Sequence, residues 1–394
     1  MRRTAHGTVA DLPVPDTAAR AHSERVVAAL RADIRASDGW ISFARYMELA
    51  LYAPGLGYYA AGATKLGQDG DFVTAPEMSP LFGAALAVQL SAILDVTIGR
   101  DIVELGAGTG RLAADVLNAL AAADALPARY RILETSPDLR ERQRATLARD
   151  ASAHMPRVEW VDTLPAAIDG AVIANEVLDA IPVHLVRTHG GAAFERGVGW
   201  DADACRFEWV DQPAGHRLAA LASQRFPGDM DYLSELNPAA EALVRSIGSS
   251  LEGGAALFID YGFAAAEYYH PQRSQGTLMC HYRHRAHADP FLWPGLNDVT
   301  AHVDFTAIAE AGVAAGLHVG GFAPQAPFLM SCGVLDLLAA VGPPDSAAYL
   351  EAAAPVQRLL SPAEMGEFLK VLALARSDGI EWKGYALVDR SGRL

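Results

Sequence analysis

The sequence predicts an α/β fold built on a seven-stranded, mostly parallel sheet. The first observation is that short β-type runs alternate with helical stretches through the middle of the chain, which is typical of successive βα units. The second is a glycine-rich turn, residues 106–110, directly behind an apolar run. A doubly wound fold has its first strand-to-helix turn at such a position. The predicted strands are 101–105, 130–134, 158–161, 171–175, 255–261, 316–322 and 368–376.

Four segments outside the alternating pattern are predicted to be additions to a main domain that spans residues 81–385. Residues 1–35 are predicted to be a loose N-terminal arm and residues 36–80 a helical cap subdomain. Alternating apolar and polar residues with Gly and Asp turn signals predict an antiparallel insertion at 183–235. Residues 262–303 are rich in aromatic residues, His and Pro without a sustained period, which predicts a long lid.

The composition is that of a globular protein with one large domain. The chain has 394 residues, of which 51% are hydrophobic and 20% are charged. Its 32 Lys and Arg residues against 47 Asp and Glu residues give a net charge of −15. This charge argues against a nucleic-acid partner and favours a basic one.

The cellular setting is predicted to be the reducing cytoplasm. The three cysteines, Cys205, Cys280 and Cys332, are widely spaced and predict free thiols. Polar residues interrupt the longest apolar stretches, so we expect no membrane insertion. The N-terminus lacks the apolar segment of a signal peptide and contains Asp11 and Asp16, which a transit peptide would avoid.

The stretch IVELGAGTGRL, residues 102–112, indicates the ligand. Its glycines stand at alternate positions: Gly106, Gly108 and Gly110. The dinucleotide fingerprint would need a glycine at position 111, which is Arg111. The alternate spacing, with Glu104 in the acidic place, resembles instead the turn of the class I S-adenosylmethionine methyltransferases. The alternative is a tight turn that binds no ligand.

Two acids follow the next strands at positions where a cofactor would need them, because ligands of open α/β sheets bind at the carboxyl ends of the strands. Glu134 ends the second predicted strand, where a carboxylate can accept hydrogen bonds from both ribose hydroxyls. Asp162 ends the third, where it would reach the adenine amino group. Each one alone could equally be a solvated acid at a strand end.

Polar residues also cluster at the end of the fourth predicted strand, in the stretch NEVLD. Asn175, Glu176 and Asp179 are the candidate catalytic residues. Acids in a cleft are unfavourable unless they face a cation, and an arginine acceptor would need carboxylates to orient its guanidinium and to receive the proton lost on methylation. The alternative is that these acids only favour a helix N-terminus.

The stretch CHYRHRAH, residues 280–287, raises the alternative of a metal site. Its candidate ligands are Cys280, His281, His284 and His287. The spacing is not that of a standard zinc site, no second cluster supports it, and the neighbouring arginines would repel a cation. We therefore predict no metal.

Long motifs resemble one methyltransferase family over residues 35–385. They are GDFVTAPEMSPLFG at 70–83, ELGAGTGRL at 104–112, ANEVLDAIPV at 174–183, IDYGF at 259–263 and GTLMCHYRHRAHADPFLWPGLNDVTAHVDF at 276–305. Together they resemble the MidA family of class I methyltransferases, whose mitochondrial members symmetrically dimethylate an arginine on a core subunit of respiratory complex I. The resemblance implies a class I methyltransferase fold, S-adenosylmethionine as the cofactor and a protein arginine as the acceptor.

The resemblance also implies roles for residues outside the glycine turn. In the first motif it places Asp71, Phe72, Thr74 and Glu77 near the methionine end of the cofactor and the entrance for the acceptor. Within this group we predict that Asp71 and Thr74 bind the cofactor and that Glu77 binds the substrate. In the lid it makes residues available to line the acceptor site, namely His281, Tyr282, Asp298, His302 and Asp304.

Two other classes of function stay open from the sequence. The chain could be an assembly chaperone with a methyltransferase fold, which holds a partner subunit and keeps the cofactor as a structural ligand. It could also methylate a lysine, a carboxyl group, a small molecule or a nucleic acid, although the net charge and the lack of a basic stripe oppose the last two. The complete set of glycines and acids favours an enzyme, because a scaffold need not keep it. The oligomeric state cannot be read from the sequence, and a homodimer stays open.

Overall fold

The computed structural model describes residues 12–60, 74–228 and 230–394. The helices in these ranges are α1 (Thr17–Ala36), α2 (Phe43–Tyr52), α3 (Ala75–Met78), α4 (Pro80–Leu94), α5 (Arg111–Ala122), α6 (Pro137–Asp150), α7 (His216–Arg225), α8 (Pro238–Ser250), α9 (Ala265–Tyr268), α10 (Phe305–Ala314), α11 (Gln325–Ser331), α12 (Val334–Ala339) and α13 (Ala347–Leu360). The strands are β1 (Ile41–Ser42), β2 (Asp101–Leu105), β3 (Arg129–Leu133), β4 (Val158–Val161), β5 (Ile168–Asn175), β6 (His184–His189), β7 (Ala192–Asp201), β8 (Arg206–Pro213), β9 (Tyr232–Leu236), β10 (Leu251–Phe263), β11 (Met279–Tyr282), β12 (Arg285–His287), β13 (Asp298–Thr300), β14 (Val303–Asp304), β15 (His318–Pro324) and β16 (Leu369–Ala375).

The main sheet contains all seven predicted strands. Their order is β15-β16-β10-β5-β2-β3-β4, and the five from β10 to β4 run parallel to one another. Strand β16 is antiparallel to both of its neighbours, β10 and β15. An eighth strand, β14, pairs with β10 and was not predicted, since its two residues are too few to carry a pattern. The predicted α/β class with a mostly parallel sheet is confirmed.

The core lies on both faces of this sheet, because helices cover each of them. All five residues of β2 and all seven of β16 are buried, as expected for strands between two helical layers. Leu86 of α4 and Leu117 of α5 contribute to the core on one face. Val244 of α8 and Ile308 of α10 contribute to the core on the other.

The order of the strands reverses at β2. Strands β3 and β4 lie on one side of β2, and the chain then crosses to place β5 on the other side. A crevice opens outside the carboxyl ends of the strands at such a switch point, and this is where open α/β sheets bind ligands. The glycine turn follows β2, and the turn that carries Glu176 follows β5, so both border this crevice.

The N-terminal helices and the antiparallel insertion form one additional unit. A five-stranded antiparallel sheet has the order β1-β7-β6-β9, with β8 paired to β7. Strand β1 comes from the predicted cap and the other four come from the predicted insertion at 183–235. The Trp40 indole N–H donates to the Val210 carbonyl at 2.9 Å, which links the two segments further.

The prediction of a loose arm over residues 1–35 is wrong for the helix α1. Val26, Leu30 and Ile34 recur on one face of α1 and are buried in the same core as the cap. Periodicity of this kind buries an apolar stripe, so the helix belongs to the cap. The remaining domain boundaries stay predictions.

The predicted lid has more regular structure than its sequence suggests. A three-stranded antiparallel sheet with the order β12-β11-β13 lies inside residues 262–303. Each of its strands has only three or four residues, which is too short for an apolar alternation to be visible. Among the helices of the described ranges, none has the length and apolar character that a bilayer span requires.

Candidate active site

A cavity of about 910 Å³ lies at the crevice that the switch point opens. Its walls come from the glycine turn, the ends of β3 and β5, the cap and the lid. Among the predicted site residues, these line it: Thr74, Glu77, Glu104, Gly106, Gly108, Glu134, Asn175, Glu176, Asp179, His281, Asp298 and His302. The cavity therefore brings together residues that are far apart in the sequence.

The glycine turn has a backbone that other residues would rarely adopt. Gly106, Gly108 and Gly110 have φ of 62°, 53° and 84°, all in the left-handed region. A Cβ atom added at Gly110 would lie 3.0 Å from the Cα of Gln143. Gly110 lies next to the cavity rather than in its wall, at the start of α5. The turn thus needs glycine for conformation and for space.

Glu104 sits beneath the glycine turn as a buried acid. Its Oε2 accepts a hydrogen bond from the Tyr130 hydroxyl at 2.6 Å. Burial raises the pKa of Glu104 to about 7, although the Tyr130 hydrogen bond favours the carboxylate. The predicted acidic position is therefore at the bottom of the cavity, held by a neighbouring strand.

Glu134 lines the cavity with its carboxylate already oriented. Its Oε1 accepts from the Ser136 backbone N–H at 2.9 Å, and its Oε2 accepts from the Gln143 side-chain amide at 3.2 Å. The same amide nitrogen donates to the Gly108 carbonyl at 3.0 Å. Gln143 therefore connects the acid to the glycine turn. No sequence signal singled it out, because a lone glutamine on a helix has no distinctive spacing.

Asp162 is not brought to the cavity. Its side chain is 79% exposed and pairs with Arg140 at 2.7 Å. The prediction relied on its place after the third strand of the parallel sheet. Arg140 extends from α6 to the same strand end and holds the carboxylate outside the cavity. No pattern in the sequence predicts this contact.

The turn after β5 holds the candidate catalytic acids. Glu176 has φ of 53°, a left-handed conformation that is uncommon for a residue with a side chain. Its Oε1 accepts from the Ala75 backbone N–H and from the Asn175 side-chain amide, both at 3.3 Å. The Asn175 Oδ1 is buried without a hydrogen-bond partner in the described protein. Strained and unsatisfied groups of this kind concentrate at functional sites.

Carboxylates crowd this end of the cavity. Burial and, second, the nearby Asp260 raise the pKa of Glu176 to about 8. Burial and then Asp260 also raise the pKa of Asp179 well above its ordinary value. A fourth acid, Asp298, accepts from the Tyr59 hydroxyl at 2.8 Å. Burial and like charges both favour the protonated form, so Glu176 and Asp179 hold their protons at a higher pH than exposed carboxyl groups do.

The lid residues divide into two groups. His281 and His302 line the cavity, and burial lowers the pKa of each to about 4, so both are neutral near pH 7. Tyr282 and Asp304 do not line it. Asp304 caps α10 by accepting from the backbone N–H groups of the first turn, and Tyr282 packs near Trp293. The expectation that these two residues line the acceptor site is corrected.

The first motif of the resemblance reaches the cavity through α3. Glu77 lines the cavity and accepts a hydrogen bond from the Thr109 hydroxyl, and Thr74 also lines it. The predicted cofactor contact Asp71 and its neighbour Phe72 lie outside the described residues. Within the described ranges, no three His, Cys, Asp or Glu side chains form a group able to hold a metal ion.

The fold and the site together define a class I methyltransferase, and comparison with known proteins agrees. A family model described as S-adenosyl-L-methionine-dependent methyltransferase matches residues 84–323. The chain belongs to this family. The resemblance to the MidA family is confirmed, and the cofactor is S-adenosylmethionine.

Two kinds of relative place the chain more closely. A crystal structure from Burkholderia thailandensis, bound to S-adenosyl-homocysteine, is 50% identical with a TM-score of 0.93, covering 97% of this chain and 100% of that one. The mitochondrial protein arginine methyltransferase NDUFAF7 of Mus musculus is 29% identical over 86% of this chain and 81% of its own length. The Drosophila melanogaster homologue of that enzyme is also 29% identical, over 88% and 83%.

The residues present fit the cofactor. The left-handed turn through Gly106 and Gly108 leaves backbone open to the cavity, and Glu134 offers an oriented carboxylate for the ribose. When bound, S-adenosylmethionine supplies a methyl group activated by a positively charged sulfur. The protein's own part is to align that group with an acceptor and to manage the acceptor's charge and proton.

The contrast between Glu134 and Asp162 gives a prediction. Glu134→Ala should weaken S-adenosyl-homocysteine binding at least tenfold, because it removes charge-assisted hydrogen bonds worth about 1.5–3 kcal/mol each. Asp162→Ala should change the affinity by less than about twofold, as for a surface substitution, since its carboxylate is exposed and pairs with Arg140. Isothermal titration calorimetry on both variants measures this. Equal losses in the two would return Asp162 to the cofactor site.

Proposed function

We propose that this protein transfers methyl groups from S-adenosylmethionine to an arginine of a protein partner. One observation carries the proposal: Glu176 and Asp179 lie close together at one end of the cavity, and no Lys or Arg side chain of the described residues pairs with either of them. Among the described residues that line the cavity, Arg111 alone is a Lys or Arg. It is engaged with Asp115 at 3.2 Å and with Asp150 at 2.8 Å, so its charge is already balanced.

A guanidinium supplies the charge that this end of the cavity lacks. It stays protonated at any physiological pH and matches the planar geometry of carboxylates. Aromatic side chains from the cap and from the end of β10 line the same cavity, namely Tyr52, Tyr59 and Tyr261. Such faces also favour a cation. A neutral acceptor would leave the buried acids uncompensated, which is the less favourable arrangement.

The acids also supply the proton step. Attack by a guanidinium nitrogen on the methyl group forms one N–C bond and breaks one S–C bond, and the nitrogen then gives up a proton. In the empty cavity Glu176 holds a proton near neutral pH, because its pKa is about 8. A bound guanidinium favours the ionised carboxylate, and this is the form that can accept the proton from the nitrogen. Asn175, with its free Oδ1, can accept a second N–H of the same guanidinium.

The relatives support the choice of acceptor class. The NDUFAF7 proteins of animals are named protein arginine methyltransferases, and their similarity to this chain extends over most of both lengths. The resemblance to the MidA family, whose mitochondrial members act on a subunit of respiratory complex I, makes such a subunit the first acceptor to test. The assembly chaperone and the non-arginine methyltransferase are the two outcomes that would replace this proposal.

The raised pKa of Glu176 predicts that the stability of the folded protein depends on pH. A folded-state pKa raised from 4.5 to about 8 means that the folded protein holds a proton that the unfolded chain has released. The free energy of unfolding therefore falls as pH rises through this window. Glu176→Gln removes this loss, so its Tm should exceed that of the wild type at pH 8.5 and equal it near pH 4.5.

Calorimetric melting at the two pH values measures this effect. A matched control is Glu241→Gln, at a buried carboxylate outside the cavity that pairs with Arg225 at 2.8 Å. That variant loses a favourable pair and should melt at a lower temperature at pH 8.5. A Tm gain for Glu176→Gln that is the same at both pH values would contradict the raised pKa.

The acceptor is identified by labelling. The protein is incubated with S-adenosylmethionine carrying a labelled methyl group and with a lysate from a strain that lacks the protein. Labelled proteins are hydrolysed for amino-acid analysis and, in parallel, mapped by mass spectrometry. We expect the label in methylated arginine of one or a few proteins. Label in lysine, in a carboxyl ester or in a small molecule would overturn the acceptor, and no label in any fraction would favour the chaperone.

A further inference from the structure

Asp260 is a buried carboxylate that lies just behind the candidate catalytic turn. It ends the run FID of β10, is 1% exposed and does not line the cavity. Its Oδ2 accepts from three successive backbone N–H groups, those of Val177, Leu178 and Asp179, at 3.1, 2.8 and 3.3 Å. Its Oδ1 accepts from the Tyr261 backbone N–H at 2.8 Å. All four donors are main-chain groups, so the contact fixes backbone and not side chains.

The turn that Asp260 holds is the strained one. Glu176, directly before the three donors, has φ of 53°. Its own N–H donates to the Ile259 carbonyl at 2.8 Å, next to Asp260 on the same strand. A left-handed residue with a side chain persists only where its surroundings over-determine it. The end of β10 therefore supplies the contacts that keep Glu176 in this conformation.

Stability alone would not choose a carboxylate at this position. Asp260 lies close enough to Glu176 and Asp179 to raise the pKa of both, so its charge opposes theirs in a buried site. A neutral side chain that accepts hydrogen bonds would avoid that repulsion. A single carboxylate, however, presents two oxygens and no donor, so it satisfies all four converging N–H groups at once. The carboxylate therefore fixes the turn, although its charge repels those of Glu176 and Asp179.

We propose that Asp260 is a positioning residue for methyl transfer, which holds the turn 176–179 so that Glu176 and Asp179 face the acceptor. This rests on the proposed function, because that function assigns the acceptor to these two acids. Asp260 itself is not among the residues that line the cavity. Its effect is on alignment, where a small displacement of a reacting group lowers the rate strongly.

The test is Asp260→Asn in single-turnover methylation of the lysate acceptor described above. Asparagine keeps the size, but its amide would point donor to donor at one of the four N–H groups. We expect the rate constant to fall at least tenfold, while S-adenosyl-homocysteine affinity stays within about twofold. The amount of methylated product formed per molecule that binds cofactor should equal that of the wild type, because every folded molecule still reacts. A merely structural role would lower this amount and leave the rate constant unchanged.

The matched control is Asp101→Asn. Asp101 is similarly buried in the same sheet. It lies at the amino end of β2, away from the cavity, where it pairs with Arg129 at 3.0 Å and with Arg131 at 3.2 Å. It should lower the Tm without changing the rate constant. If Asp260→Asn does not fold, as judged by circular dichroism, Asp260→Ser keeps one acceptor with less volume and should show the same loss of rate.

Two results would overturn the positioning role. One is a rate constant within about twofold of the wild type in the folded variant. The other is a parallel loss of cofactor affinity, which would place the effect on the glycine turn. Failure of the proposed function is distinguishable, since it appears as label on a residue other than arginine. In that case a lower rate constant for Asp260→Asn on the actual acceptor would still support positioning.

Discussion

Replacement of Gly108 by Val is expected to abolish binding of S-adenosyl-homocysteine while the protein stays folded. The φ of Gly108 is 53°, which a β-branched residue avoids. The residue also lies in the cavity wall, and its carbonyl accepts from Gln143, which in turn holds Glu134. A side chain here therefore occupies the ligand's space and disturbs the ribose acid at once. We expect a loss of at least a hundredfold, about 2.7 kcal/mol or more.

The control for this variant is Gly190→Val. Gly190 has a φ of 58°, nearly that of Gly108, and an added Cβ there would meet no atom within 4 Å. Both variants carry similar backbone strain, but only one is at the cavity. Calorimetric titration should find wild-type affinity in Gly190→Val. Unchanged affinity in Gly108→Val would remove the glycine turn from the cofactor site.

Glu176→Gln is expected to lower methyl transfer about a hundredfold or more, with little change in S-adenosylmethionine affinity. The substitution keeps the shape and one oxygen for the Ala75 N–H, but it removes the charge that orients a guanidinium. An interaction made mainly in the transition state affects turnover and not cofactor binding. Single-turnover methylation at saturating cofactor, with calorimetry on the same preparation, separates the two.

Glu241→Gln serves again as the control, because it removes a buried carboxylate outside the cavity. Its rate constant should equal that of the wild type. Parallel losses of rate and of cofactor affinity in Glu176→Gln would move Glu176 into the cofactor site. Wild-type values for both quantities would leave Glu176 as a buried acid without a role in methyl transfer, since no helix begins in the described stretch between β5 and β6.

The main sheet was predictable because each strand carries its own local pattern. The strand 101–105, for example, contains the apolar residues Ile102, Val103 and Leu105 in a short run that ends at the glycine turn. The placement of Glu134, Glu176 and Asp179 at the cavity followed from the rule that the carboxyl ends of parallel strands meet at one edge of the sheet, whereas Asp162 lies outside the cavity. The lid strands of three or four residues and the two-residue strand β14 of the main sheet carry no such pattern, so the sequence does not predict them.

The site was less predictable where it depends on contacts between distant elements. The left-handed conformation of Glu176 could not be predicted from the sequence, because glycine is the residue that usually adopts it. Asp260 belongs to a quoted motif, but its four backbone partners become evident only when β5 and β10 lie side by side. Arg140, likewise, turns Asp162 away through a contact 22 residues distant in the chain.

The claim that the buried acids bind the acceptor's positive charge is tested most directly by counting protons. The protein loaded with S-adenosyl-homocysteine is titrated at pH 7 with a peptide that spans the mapped arginine, in buffers of different ionisation enthalpy. Because Glu176 holds a proton below pH 8, binding of a guanidinium should release protons to the buffer. The release should shrink above pH 8 and in Glu176→Gln. Heats that are the same in every buffer, or equal proton release with methionine in place of the arginine, would contradict the account.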